Sequence, residues 1–354
     1  MLKERRKTRP VPVGNLIIGD GQPVTLQSMT TTPTRDVEKT LSQIRGRAED
    51  GVEVVRVAVP DRESARALSR IKEGIVIPLV ADIHFNHALA LEALDQGVDK
   101  LRINPGNIGG PEKFAKVAAR ARERGAALRI GVNAGSLSRE TLAKWGGPTP
   151  EAMVEDALHY LEVLEKMDFD RVVVSLKAAD VVTTIRAYQL FSDKSDAPLH
   201  IGITEAGTPF KGAIKSAVGL GYLLLEGLGD TLRVSLSGDP REEVKAGREI
   251  LQAAGIRHFG PEIISCPTCG RCGIDLIALV EEVERRLEGL KEPLKIAVMG
   301  CPVNGPGEAR QADYGIAGGQ GTGIVFCKGS VVKKVPEKEL VEALMEIMKK
   351  NINW

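Results

Sequence analysis

The sequence predicts a (βα)8 barrel followed by a smaller α+β domain, on three observations. Short β-branched runs alternate with longer segments of helical period between residues 24 and 255, the signature of a parallel α/β fold. There are eight such runs, and eight βα units in roughly 230 residues match a TIM barrel better than an open doubly wound sheet. After Gly260 the alternation stops and a cysteine cluster begins.

The expected barrel strands are 24–29 (VTLQSM), 52–59 (VEVVRVAV), 75–82 (IVIPLVAD), 99–104 (DKLRIN), 127–133 (ALRIGVN), 171–177 (RVVVSLK), 199–204 (LHIGIT) and 231–237 (TLRVSLS). Helices follow each of them. Asp36, Asp61, Pro111, Pro150 and Pro240 stand where helix starts need caps or first-turn residues, and Gly51, Gly74, Gly97, Gly125 and Gly255 stand near helix ends. No GxGxxG follows the first strand, which argues against a dinucleotide fold. Ahead of the barrel, two alternating runs flank Gly19-Asp20-Gly21, a hairpin signal placed to close the barrel floor. Beyond the barrel come a helix over 274–288, a strand LKIAVMG, a glycine-rich stretch from Gly305 to Gly323, a strand GIVFCKG and a last helix. The expected division is residues 1–258 for a substrate-binding barrel and 259–354 for a cluster domain.

Composition narrows the function classes. The chain has 354 residues, 43% of them hydrophobic, with 27% charged residues that nearly cancel to +1. Such a balance leaves no electrostatic footprint for nucleic acid or an anionic membrane. No apolar h-region follows the charged start and no stretch reaches the roughly 18 apolar residues of a membrane span, so a cytoplasmic location is expected. Five cysteines are too few for a disulfide scaffold, and three crowd into positions 266–272.

Cys266, Cys269 and Cys272 form CxxCxxC, and Cys301 stands directly before Pro302. Four thiols suit either zinc or an iron-sulfur cluster, and the spacing favours the cluster because it is closer to ferredoxin ligation than to a paired zinc ribbon. Cys327, inside an apolar strand, reads as a packed thiol.

The motifs CPTC at 266–269 and GCPVNGPGEA at 300–309 resemble those of the bacterial 4-hydroxy-3-methylbut-2-enyl diphosphate synthases of the methylerythritol phosphate isoprenoid pathway. The resemblance spans essentially the whole chain, including QSMTTTPT (27–34), ADIHF (81–85), RINPGNIG (102–109), IGVNAGSL (130–137), SLKA (175–178), ITEAG (203–207) and RVSLS (233–237). It implies a [4Fe-4S] cluster held by Cys266, Cys269, Cys301 and Glu308, leaving Cys272 a bystander. A carboxylate binds cluster iron more weakly than thiolate does, so Glu308 is the ligand expected to yield to substrate.

Polar residues gather at the expected C-terminal strand ends, where TIM barrels carry function: Arg56, Asp82 and His84, Arg102 and Asn104, Arg129 and Asn133, Lys177, Thr204 and Glu205, and Arg233, Ser235 and Ser237. A solvated loop charge or interior ion pair explains any one of them. Several cations at one mouth point to a multiply charged anion, since Arg and Lys form charge-assisted bonds to phosphate. The resemblance names 2-C-methyl-D-erythritol 2,4-cyclodiphosphate, opened and dehydrated with two electrons from a flavodoxin or ferredoxin. It also implies that Arg56, Arg102, Arg129, Asn133, Lys177, Ser235 and Ser237 bind the diphosphate, with His84 and Asn304 as further substrate contacts and second choices after Glu205 for delivering the proton. Glu205 and Asp82 become the acid/base or hydroxyl-orienting groups, Glu205 as the proton donor if burial raises its pKa. A domain tethered after the eighth helix emerges at the face opposite the mouth, and the resemblance implies a head-to-tail homodimer in which each cluster domain serves the partner barrel. The competing readings are a barrel hydrolase or pterin-type transferase with a zinc knuckle, and a non-enzymatic iron-sulfur carrier.

Overall fold

Each expected barrel run forms a strand, and polar caps set where most of the helices begin. The computed structural model describes residues 3–301, 311–319 and 321–352, and the chain divides into two compact units, Met1–Arg257 and His258–Trp354. In the first unit the barrel strands are β3 (Thr25–Met29), β4 (Val54–Ala58), β5 (Leu79–Ile83), β6 (Lys100–Ile103), β7 (Ala127–Asn133), β8 (Val172–Lys177), β9 (His200–Ile201) and β10 (Thr231–Leu232). Helices α1 (Val37–Glu49), α2 (Arg62–Glu73), α3 (His87–Asp95), α4 (Pro111–Arg124), α6 (Pro150–Glu165), α7 (Val181–Ser192), α8 (Pro209–Leu225) and α9 (Pro240–Ala253) alternate with them, and a short extra helix α5 (Arg139–Trp145) precedes α6. Asp36, Asp61, Thr149, Asp180 and Asp239 each accept a first-turn backbone N–H, satisfying donors that a helix start leaves unpaired.

All strand pairs in the barrel are parallel, in the order β8-β7-β6-β5-β4-β3-β10-β9, and a bridge between Val174 and Leu199 closes the circle. The third strand is shorter than expected, beginning at Leu79 and not at Ile75. Pro78 has no N–H to extend the ladder, although its carbonyl still accepts from Val55.

Following the register around the barrel, one residue further along per strand, returns to the starting strand eight residues on, the shear of a TIM barrel. Four inward side chains then share each layer. Val54, Lys100, Val173 and Thr231 form one; Gln27, Val80, Arg129 and His200 lie above it; Arg56, Arg102, Ser175 and Arg233 lie above those. The floor is closed by the hairpin of β1 (Val11–Val13) and β2 (Leu16–Ile18), whose Val11, Val13 and Ile18 pack against Ala127 and Val173. The hairpin turn is Gly14-Asn15, not the expected Gly19-Asp20-Gly21, because the pairing Val13↔Leu16 leaves only two residues for the loop.

The second unit is a five-stranded sheet, β11 (Glu262–Ser265), β12 (Lys295–Met299), β13 (Tyr314–Gly319), β14 (Thr322–Cys327) and β15 (Ser330–Pro336), with helices α10 (Leu276–Leu287) and α11 (Leu340–Asn351). The strands run in that order, the first three parallel and the last two antiparallel. Leu276, Val283, Ile296, Val298, Ile316, Val325, Leu340 and Leu344 share its core, against which Cys327 is half-buried as expected. Three strands escaped the sequence reading. β11 is four residues long with exposed ends, too short to show a clear period. β13 hides in the glycine-rich stretch, where a Cβ at Gly315 would collide with the ring of Phe326 and the carbonyl of Ala297. β15 is an edge strand whose exposed Lys333 and Lys334 mask its period in the way that edge strands are commonly protected.

A cation-lined barrel and a thiol edge as the candidate active site

The barrel interior carries far more positive than negative charge. Arg56, Arg102, Arg129 and Lys100 are buried and Lys177 is half-buried, while the one inward carboxylate among the described strand residues of the barrel is Asp82. Arg102 Nη1 donates to Asp82 Oδ1 at 3.1 Å, Arg56 Nε lies 3.7 Å from Oδ2, and His84 Nε2 lies 3.5 Å from Oδ2. Burial opposes ionisation of Asp82, but Arg56, the His84 hydrogen bond, Arg102 and Arg129 overcome it and hold the carboxyl well below the usual carboxylate range. Asp82 is therefore a fixed anion that orients the cations around it, which among its expected roles, acid/base or hydroxyl-orienting, suits the orienting one.

The cations bear the opposite strain. Burial, then the neighbouring guanidiniums, pushes Lys177 and Arg129 well below their ordinary values, and burial pushes Arg56 down to about 10 despite Asp82. Arg102 Nε and Arg129 Nε and Nη1 meet no protein acceptor. Arg56 spends its Nε and Nη2 on the Met29 sulfur at 3.1 and 3.0 Å. Room for this crowd comes from Gly202, where a Cβ would collide with Lys177 Nζ and the Arg233 carbonyl. Replacing Asp82 with asparagine removes the carboxylate shared by Arg56 and Arg102, and breaking a buried pair from one side costs about 3–5 kcal/mol. Denaturant unfolding of Asp82→Asn is expected to register that loss.

Other expected site residues fall into distinct places. Arg129 stands mid-strand in the interior and not at the strand end, because β7 is seven residues long and begins at Ala127. Asn133 and Ser235 are half-buried, and His84 and Ser237 are exposed. Asn104 is structural: its amide donates to Ser136 Oγ at 2.7 Å and its carbonyl oxygen accepts from the Gly106 N–H at 3.2 Å. Glu205 departs from expectation. It is exposed, with φ +52°, and the left-handed backbone of a non-glycine residue there is a strain of the kind seen at functional loops. Asn304 and Glu308 lie outside the described residues. The sequence reading passed over Lys100 and His200, which begin their strands and so read as charges at the strand entrance. It also passed over Glu243 on α9, which pairs with Arg233 Nη2 at 3.2 Å and accepts from the Leu236 N–H at 3.0 Å. Their only signal was the strand period of two, which turns Lys100 inward with Arg102.

In the second unit, β11 and β12 are parallel with Ser265 opposite Val298, so the residues after both strands leave one sheet edge. Cys266 and Cys301 follow there. The Gly300 N–H donates to Cys266 Sγ at 3.2 Å, and Cys301 is buried. Cys269 is exposed, while Cys272 donates its thiol to the Ile274 carbonyl at 3.3 Å. Among the described residues no three potential ligands converge at metal distance. The donor chemistry nonetheless fits a soft-metal group: thiols gather at one sheet edge, and a backbone N–H is aimed at one of their sulfurs, as cluster-binding sulfurs require. Cys272 already has a partner in its own loop.

Fold and site together define a TIM barrel with a cation-lined interior, joined to a small thiol-bearing α+β unit. The GcpE TIM-barrel domain family matches residues 8–248 and the GcpE C-terminal domain family residues 262–350; the chain belongs to the GcpE family. A protein of Thermodesulfovibrio yellowstonii, named 4-hydroxy-3-methylbut-2-en-1-yl diphosphate synthase (flavodoxin), is 56% identical over 98% of this chain and 99% of its own length. Relatives of the same name from Caldanaerobacter subterraneus subsp. tengcongensis and Geobacter sulfurreducens are 55% and 56% identical, over 99% and 98% of this chain and 99% and 98% of their own lengths. Among solved structures, dihydropteroate synthase from Stenotrophomonas maltophilia aligns with a TM-score of 0.52 at 13% identity, covering 70% of this chain and 98% of that one. That likeness shows the barrel fold alone. No helix among the described residues is long and apolar enough to cross a membrane.

Proposed function

We propose that the chain catalyses reductive ring opening and dehydration of 2-C-methyl-D-erythritol 2,4-cyclodiphosphate to 4-hydroxy-3-methylbut-2-enyl diphosphate, in isoprenoid precursor biosynthesis. The observation that carries this reading is the surplus of buried cations over Asp82 in the barrel. A diphosphate supplies the missing negative charge, and buried cations without acceptors are costly until something does. Arg56, Arg102, Arg129 and Lys177 hold it, Asn133, Ser235 and Ser237 add neutral hydrogen bonds, and His84 and Asn304 flank it. Asp82 keeps Arg56, Arg102 and His84 oriented. In the overall reaction two electrons enter, the C2–O bond to phosphate opens, and the C3 hydroxyl leaves as water after Glu205 gives it a proton.

Cys266, Cys269, Cys301 and Glu308 would hold a [4Fe-4S] cluster, which when bound supplies electrons one at a time. The electrons come from a flavodoxin or ferredoxin, in keeping with the names of the relatives. A homodimer with each cluster unit serving the partner's barrel is supported by two features. Arg257 donates to the Val24 carbonyl and pairs with Glu53, which puts the end of the barrel unit at the N-terminal face, away from the cations. Helix α8 also exposes an apolar stripe, Phe210, Ile214, Val218, Tyr222 and Leu225, of the kind that marks interfaces. A cluster unit covering the mouth would also bury Glu205.

Calorimetric titration with the cyclodiphosphate tests the reading. Lys177→Met is expected to weaken binding by roughly 10- to 100-fold, the worth of one charge-assisted bond, and unchanged affinity would remove the barrel from substrate binding. Mixing Lys177→Met with Cys301→Ser protein is expected to restore partial activity, and a fully active monomer would contradict the shared site.

A further inference from the structure

Below the layer of Arg56 and Arg102, four polar side chains are sealed inside the barrel: Gln27, Lys100, Arg129 and His200 are at most 2% exposed. Among the described residues, Lys100 Nζ, Arg129 Nε and Nη1, His200 Nε2 and both amide atoms of Gln27 meet no hydrogen-bond partner. Thr231 Oγ1 lies 3.4 Å from His200 Nδ1, and Lys100 and Arg129 can only donate whichever ring nitrogen of His200 carries the proton. Donors therefore outnumber acceptors, and two of the side chains are cations.

No carboxylate answers them. Asp82 is engaged by Arg56 and Arg102 above, and Asp99 faces Lys72 and the Leu79 N–H outside the barrel. Burial first, then Arg129 and Arg56, pushes Lys100 down to about 7, which measures how poorly the protein alone accommodates its charge. Lys100 is two residues below Arg102 on β6, a step of about 6.6 Å along a strand, and so lies beneath the mouth. Val11, Val13 and Ile18 close the floor below it.

We infer that the lower barrel holds a second anion site, for one monovalent anion of halide size, between Lys100, Arg129, His200 and Gln27. An acceptor-only ligand satisfies the excess donors and neutralises a cation, whereas water supplies as many donors as acceptors. Eight-stranded barrel interiors leave little more than side-chain room, which admits a halide and excludes phosphate. The site shares Arg129 with the diphosphate reading, and its other members, Lys100, His200 and Gln27, lie in the layers under the mouth.

The full-length protein, handled without oxygen, is melted in sodium chloride and in sodium gluconate at equal ionic strength, and its crystals are soaked in bromide. The barrel transition is expected about 3–6 °C higher in chloride, from preferential binding to the folded state, with that difference lost in Lys100→Met. An anomalous bromide peak is expected in contact with Lys100 Nζ and Arg129 in the unaltered protein, which decides the matter even if Lys100→Met fails to fold. Bromide confined to the mouth, or absent from the barrel, overturns the site. Pyrophosphate binding in gluconate reports separately on the mouth.

Discussion

Cys301→Ser protein purified without oxygen is expected to be colourless and to hold less than one iron per chain, where the unaltered protein is expected to hold about four irons and four sulfides and to absorb near 410 nm. The expectation rests on position. Cys301 is buried at the end of β12, next to the Gly300 N–H that donates to Cys266, so it is the thiol least able to be replaced by a neighbour. Serine keeps the shape and removes the soft ligand. Turnover should fall to background with the iron. Cys272→Ala serves as the control: its thiol is engaged with the Ile274 carbonyl, and the variant should keep its iron. A cluster that survives Glu308→Ala but not Cys272→Ala would mean that the all-cysteine set is the real one. Stoichiometric zinc in place of iron would reduce the second unit to a structural knuckle.

Glu205→Gln is expected to lower turnover by about 10²- to 10⁴-fold, the usual worth of a positioned general acid, while leaving cluster content and cyclodiphosphate affinity within about twofold. Glu205 stands between β9 and α8 at the C-terminal strand ends, on a loop held in the left-handed region at φ +52°. It is exposed, so the substitution removes no packing and the fold should tolerate it. The separation of turnover from affinity is the informative part. A residue that merely shaped the loop would weaken binding in step with turnover, and unchanged turnover would assign the proton to another group.

Much of the barrel was legible because its strands alternate with capped, amphipathic helices, a pattern that eight repeats make hard to mistake. The misplaced hairpin turn shows the limit: Gly14-Asn15 and Gly19-Asp20-Gly21 are both good turn sequences, and only the pairing of Val13 with Leu16 chooses between them. The mouth residues could be found by their strand-end positions. The depth of Arg129 and the roles of Lys100 and His200 could not, because which layer an inward residue occupies depends on the register around the whole barrel. The role of Asp82 was likewise open in the sequence, since an acid and a permanent anion differ only in how many cations the fold brings to them. Four of the five cysteines announced a metal by spacing, and the parallel pairing of β11 with β12 explains how Cys266 and Cys301, distant in sequence, leave the same edge.

The most direct test of the account is anaerobic turnover. The iron-replete protein is given 2-C-methyl-D-erythritol 2,4-cyclodiphosphate and a reduced flavodoxin, and the products are followed by phosphorus NMR. The account predicts conversion to 4-hydroxy-3-methylbut-2-enyl diphosphate with two electrons consumed per molecule formed. Intact substrate in the presence of a full cluster and excess reductant would contradict it.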